Sequence, residues 1–373
     1  METFESYILA YLRDKYKEKA DELYSLSHVL QYIAYKTRSA NRGAKARGSF
    51  ANLYAIYVIV EDYIQKGFDK KKGYSRYEGA KYSVLHKRQR ELPFGAKLEN
   101  HALNSRMNEE FFKFFPTQKG VPPIMRSAET QRYWFNENYL KLKVGRKTIN
   151  IANDIINIID HYVVVKQGMF KQFINQCETL ERLDGKGNSE EAYDFIMSLL
   201  AQNVDARLFE IVSYAILKNF YKDTVVYWGY SPEADELTAD RLCLYKTGRT
   251  NANDGGIDFV MKPLGRFFQV TETLDFKKYF LDIEKIERYP LTFVIKSEES
   301  IEWLKCKIES DALRTYGVRD IVDIYLKCIE ELINIPVLKE YLTDIANRKV
   351  VPDVLSEIIR QSKVEFSFEE NEE

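Results

Sequence analysis

Hydrophobic positions in the first part of the chain recur every three or four residues. From Tyr7 to Tyr35, Leu, Ile, Tyr and Val alternate with Lys and Glu at that spacing, which predicts helix. Ser49 is placed to cap a second helix, from Phe50 to about Gln65, on which Leu53, Ile56, Tyr57 and Val60 share one face. Further helices are predicted over Leu103–Phe115, Thr148–Val165 and Lys166–Arg182, and strand signals are few before residue 200. The run Asp184-Gly185-Lys186-Gly187-Asn188-Ser189 reads as a linker. After it the pattern changes. Two helices, Glu190–Leu200 and Asp205–Phe220, precede strand-like runs at Thr224–Trp228, Arg241–Tyr245, Ile257–Met261 and Arg266–Thr271. A helix over Phe276–Arg288 and a strand over Leu291–Ile295 follow, and Ser300–Ser362 is mostly helical. No internal repeat is present, and the acidic tail Glu365–Glu373 is expected to be disordered.

This order predicts an α+β or α/β chain in three parts: a helical region over 1–189, an αβββαβ core with a mixed sheet over 190–300, and a helical C-terminal extension over 301–373. A length of 373 residues suits two or three domains, and 45% apolar with 30% charged residues excludes wholesale disorder. The longest apolar run, Leu53–Val60, has eight residues, whereas a membrane helix needs about 20. The opening Met1-Glu2-Thr3-Phe4-Glu5 has no basic stretch before an apolar core, so no secretory leader is expected. Cys177, Cys243, Cys306 and Cys328 lie far apart with no CxxC pair, which argues against a zinc ribbon or disulfide scaffold and suggests a reducing cytoplasm.

Charge is distributed unevenly. Residues 1–150 hold 28 Lys and Arg against 16 Asp and Glu, a net of +12, while residues 151–373 hold 27 against 40, a net of −13. A polyanion-binding first part follows from that asymmetry, against the plainer alternative of a solvated Lys-rich helical surface. Arg38, Asn41, Arg42, Lys45 and Arg47 fall in a basic loop of small residues, and Arg76 lies in a second basic stretch that begins at Lys70 and runs on to Arg90. Asn104 and Arg106 stand near a helix start. Arg can pair with guanine and Asn with adenine in the major groove, so these eight are the candidate DNA contacts, to bases or to phosphates.

Candidate chemistry concentrates later. Gly255-Gly256 permit a sharp turn into the strand that carries Asp258, and Lys262-Pro263-Leu264-Gly265 turns into the next. There Phe267, Gln269 and Thr271 project to one face and Phe268, Val270 and Glu272 to the other. Asp258, the Gln269 amide and the Val270 carbonyl would make an oxygen-rich pocket suited to Mg²⁺.

Glu210 on a helix, Gly255-Gly256-Ile257-Asp258, and Gln269-Val270-Thr271 on the following strand resemble the PD-(D/E)xK core of type II restriction endonucleases, over about 100 residues from Ala201 to Ser297. The resemblance implies a restriction-endonuclease-like fold in which Glu210, Asp258 and Gln269 bind Mg²⁺ and Thr271 stands at the lysine position. It departs from the family at two places. Gln269 offers an oxygen without charge, and Thr271 supplies a hydroxyl without a cation. Lys246 is a candidate replacement, Lys262 lies about 13 Å along the strand from Asp258, and Glu272 points to the other face.

The function implied is Mg²⁺-dependent, site-specific hydrolysis of double-stranded DNA by a homodimer, with a DNA methyltransferase in the same system. Alternatives are a DNA-binding protein on an inactive nuclease fold and a modification-dependent or RNA-directed nuclease. The four histidines show no HExxH spacing, and no GxxxxGK[ST] loop is present.

Overall fold

A computed structural model describes residues 3–38, 47–96, 98, 101–184, 189–229, 237–247, 257–272 and 274–366. The chain forms two compact units, Met1–Phe173 and Ile174–Glu373. The expected boundary at 189 is displaced: the division falls inside one continuous helix, and residues 185–188 of the expected linker lie outside the described residues. The helix continues because no Gly or Pro after Gly168 interrupts its apolar stripe before Asp184.

In the first unit, α1 (Phe4–Tyr16), α2 (Ala20–Leu26), α3 (His28–Thr37) and α4 (Arg47–Gln65) divide the predicted helical stretches. Thr3 and Ser27 cap α1 and α3 through their hydroxyls. Next come β1 (Ala80–Lys81), α5 (Tyr82–Glu91), α6 (Met107–Phe114), β2 (Ile124–Ser127), β3 (Arg132–Phe135), β4 (Lys141–Val144), β5 (Lys147–Asn150) and α7 (Ala152–Asp184). The five short strands add to a region expected to be helical with few strand signals. They are only two to four residues long, too short to establish a two-residue period. Thr148 lies in β5, so the predicted helix starts four residues later, at Ala152.

One aromatic-rich core joins these elements, among them Tyr32, Phe50, Tyr54, Tyr63, Phe111, Phe135 and Tyr162. Asp154 is fully buried within it. Its carboxylate accepts from Tyr11 Oη at 2.9 Å, Tyr16 Oη at 2.6 Å and Lys15 Nζ at 2.5 Å, which compensates the loss of water.

The second unit contains α8 (Ser189–Ser198), α9 (Ala206–Tyr221), a separate β6 (Val225–Trp228) and β7 (Thr238–Arg241) hairpin, then β8 (Cys243–Lys246), β9 (Phe259–Lys262), β10 (Arg266–Thr271), α10 (Phe276–Lys285) and β11 (Leu291–Ile295). α11 (Ile301–Tyr316), α12 (Arg319–Lys327), β12 (Ile329–Ile333), α13 (Ile335–Asn347) and α14 (Val351–Phe366) complete it. The mixed sheet has the order β12-β11-β10-β9-β8, antiparallel from β8 to β10 and parallel from β10 to β12. Residues 301–366 are therefore more than an appended set of helices. They supply an outer strand, and α13 and α14 pack on α9.

All five residues of β11 are buried, so helices must cover both faces of the sheet. Leu291, Phe293 and Ile295 join Tyr279, Phe280, Leu304, Ile308 and Val322 beneath α10, α11 and α12. On the opposite face Phe259 packs against Tyr214 of α9, their ring centroids 5.1 Å apart.

Phe293 is fully buried and stacks on Tyr279 with ring centroids 4.7 Å apart. Phe293→Ala is expected to cost about 3–5 kcal/mol, measured as a lowered urea midpoint. Burial alone would raise the Glu357 carboxyl, but hydrogen bonds from Arg360, Gln361 and Lys218 of α9 hold it below its usual range. A depressed carboxylate stabilises the fold above its unfolded pKa, and that contribution is lost as pH falls through the folded value. Glu357→Gln should therefore flatten the acid limb of the stability–pH curve, followed by unfolding at pH 3 to 7.

Candidate functional site

The sharpest local feature lies at the open end of the β9–β10 hairpin. Phe268 pairs with Phe259, and the ladder runs on toward Asp258 and Gln269. Asp258 N donates to Phe268 O at 2.8 Å, while Val270 N donates at 2.7 Å to Asp258 Oδ2. The carboxylate thus takes a place that a strand carbonyl would otherwise fill. This explains how an acid is tolerated at a strand start. Gly265, at φ +67°, closes the other end of the hairpin in the left-handed region.

Next to Asp258, Gln269 is 8% exposed. Its Nε2 donates to Val270 O at 3.2 Å, and its Oε1 is buried with no hydrogen-bond partner among the described residues. A buried amide oxygen without a donor costs about 1–3 kcal/mol, unless a cation or ligand group meets it.

Thr271, two residues on, shares the Gln269 face. It is buried, and its hydroxyl hydrogen-bonds Tyr279 of α10. Burial pushes the Tyr279 phenol above its usual range, against the lowering effect of Thr271. This hydroxyl therefore belongs to the interior.

Glu210 stands on the other side of the sheet. Its Oε1 lies 2.9 Å from Lys246 Nζ and its Oε2 lies 3.1 Å from Arg207, which also reaches Glu365 at 3.6 Å. Lys246 pairs with Phe259 and so shares the α9 face. The four expected site residues, three of them expected metal ligands, are thus separated. Asp258 and Gln269 are neighbours, Thr271 turns into the α10 interface, and Glu210 is neutralised by two cations. Among the described residues no group of three or more His, Cys, Asp and Glu is placed to hold a metal ion.

One charged pair escaped the sequence reading. Lys296, at the carboxyl end of β11, donates its backbone N–H to Thr271 O at 2.9 Å. Its buried ammonium bonds Val204 O and sits 2.7 Å from Glu272 Oε1. A lysine immediately after a largely apolar strand was the available signal, since polar groups gather at the carboxyl ends of parallel strands. Lys262, by contrast, is exposed and 5.6 Å from the Tyr245 ring centroid.

Of the expected DNA contacts, Asn41, Arg42 and Lys45 lie outside the described residues, as do Gly255 and Gly256, and Arg47 opens α4. Arg38 lies over the Tyr35 ring at 4.2 Å, and Arg76 is exposed. Arg106 pairs with Glu110 at 3.2 Å, and Asn104 Oδ1 accepts from Tyr133 Oη at 2.7 Å, so both are tied into the fold.

Among the described residues, no helix is long and apolar enough to cross a membrane. Comparison of the chain with protein-family models, curated proteins and solved structures gives no match in any of the three.

Removing the unmatched acceptor tests whether it is idle. In the absence of divalent ions, Gln269→Leu should leave stability unchanged or raise it by about 1 kcal/mol in urea unfolding. A loss of several kcal/mol would show that the amide oxygen is already engaged.

Proposed function

We propose that the second unit is a nuclease-type core that hydrolyses phosphodiester bonds of double-stranded DNA with Mg²⁺, and that the basic first unit carries contacts to the DNA. In this reading the chain is a site-specific endonuclease of the type II restriction kind. The observation that supports it is the β8–β9–β10 meander followed by the β10–α10–β11 crossover, at whose open hairpin end the Asp258 carboxylate takes Val270 N–H and the neighbouring Gln269 has an amide oxygen without a partner among the described residues. Both are hard oxygen donors of the type Mg²⁺ takes, with one charge rather than two. When bound, the ion polarises the phosphate and acidifies an attacking water.

Asp258 and Gln269 would hold that ion. The Val270 N–H orients the Asp258 carboxylate, and burial keeps bulk water from Gln269. Lys296 is the lysine that the ladder sets beside Thr271, with Glu272 holding its ammonium. Cutting both strands of a two-fold site requires a two-fold protein, so a homodimer belongs to the proposal, as does a DNA methyltransferase that protects the host's own sites.

A second reading, binding of DNA by the same fold without cutting, is favoured by the pairing of Glu210 with Lys246 and Arg207. A supercoiled plasmid incubated with and without Mg²⁺ separates the two. Wild type is expected to cut only with Mg²⁺. Asp258→Asn, which keeps an acceptor for Val270 N–H, should lose at least roughly 100-fold in rate with DNA affinity changed less than about twofold. Binding without cutting supports the second reading. Neither binding nor cutting overturns both.

A further inference from the structure

Two short basic segments of the first unit, some seventy residues apart in sequence, meet in space. Lys70, Lys71 and Lys72 form an exposed turn after α4, and Lys143, Arg146 and Lys147 are exposed at the tip of the β4–β5 hairpin. Asn150, the last residue of β5, donates from Nδ2 to Asp69 O at 3.4 Å and to Tyr63 Oη at 3.1 Å. Asn153 Nδ2 reaches Asp69 Oδ2 at 3.3 Å. The lysine turn is therefore fastened to the base of the hairpin. From Asn150 to Lys147 the strand covers about 10 Å.

The hairpin is set firmly at its base. Leu142 and Val144 are buried, whereas Lys141 and Lys143 alternate with them on the outer face, and Gly145, at φ +57°, makes the two-residue turn with Arg146. Many cations elsewhere on the unit are paired, Arg13 with Asp21, Lys15 with Asp154, Lys36 and Arg106 with Glu110, Arg88 with Glu61 and Lys141 with Glu137, while others such as Lys81, Lys113 and Lys119 are exposed singly. Lys70, Lys71, Lys72, Lys143, Arg146 and Lys147 form no ion pair with a described residue. The acids that reach this region are Asp69, held by Asn153, Glu137, held by Lys141, and Glu22, whose Oε1 takes Gly145 N–H at 3.4 Å.

We propose that the Lys70–Lys72 turn and the Lys143–Lys147 hairpin tip form one ridge that grips the phosphate backbone of duplex DNA. This rests on the reading that the chain acts on DNA. Six unpaired cations on a firm base meet a polymer that carries one charge per roughly 1.7 Å of axis, and each phosphate contact releases bound counterions. None of the exposed large apolar residues of this unit (Leu26, Val84, Phe114, Val121 and Val164) lies in either segment, which disfavours a lipid surface, where an apolar anchor accompanies basic charge.

The test compares full-length wild type with K70Q/K71Q/K72Q, K143Q/R146Q/K147Q and a control, K81Q/K113Q/K119Q, which removes the same charge from exposed lysines elsewhere on the unit. Affinity for a duplex of about 20 base pairs is followed against salt without Mg²⁺, with thermal unfolding as the folding check. Each ridge variant is expected to lower the slope of log K against log salt by roughly 2–3 and affinity roughly tenfold or more, and the control by less than half of that. Equal effects of ridge and control variants would overturn the ridge alone. A wild type that binds no duplex overturns the ridge together with the DNA reading, and ridge-dependent capture by phosphatidylserine vesicles in that case assigns the surface to lipid. Ridge-dependent DNA binding by a protein that cuts no plasmid leaves the ridge standing and removes only cleavage.

Discussion

A strand buried along its whole length cannot face water on either side, and β11 is buried at all five positions. Everything in the second unit follows from satisfying that strand. Its neighbours β10 and β12 run parallel to it, so crossovers are required, and these place α10, α11 and α12 over one face. The other face is left to α9, with α13 and α14 packed behind it. The sheet becomes a partition. Side chains that alternate along one strand end in different chemical settings on its two sides.

That partition decides the fate of the polar residues. On the α10 side, Thr271 is drawn into a hydrogen bond with Tyr279, and Gln269 is buried with its amide oxygen unmatched. On the α9 side, Glu210 is drawn into a network with Lys246, Arg207 and Glu365. A buried ion network of this kind contributes little net stability but is costly to break singly, because it leaves a stranded charge. At the strand start an acid escapes both interiors. There the Asp258 carboxylate replaces a missing carbonyl and remains next to Gln269.

The first unit solves a different problem. Its helices bury many tyrosines, and their hydroxyls need partners: Tyr11 and Tyr16 take Asp154, Tyr63 takes Glu137, and Tyr77 takes Asp62. The acids near the turn after α4 and the β4–β5 tip are engaged in the same way: Asp69 with Asn153, Glu137 with Tyr63 and Lys141, and Glu22 with Gly145 N–H. Lys70, Lys71, Lys72, Lys143, Arg146 and Lys147 are left exposed there without an ion pair among the described residues.

Local periodicity by itself determined the helices α4, α9 and α10, the strands β10 and β11, and the division of Phe267, Gln269 and Thr271 from Phe268 and Val270, because each depends on neighbours within a few residues. Short strands such as Lys141–Val144 and Ile329–Ile333 were beyond its reach, since lysines or glutamates interrupt them and neither shows the nearly continuous apolar run that marks β11. Pairing across distance belonged to the tertiary structure alone. Which face α9 covers, which lysine meets Glu210, that Lys296 stands beside Thr271, and that the turn after α4 is fastened to a hairpin some seventy residues on are set by packing both faces of a buried sheet and by closing a shared core. No window of the chain contains those constraints.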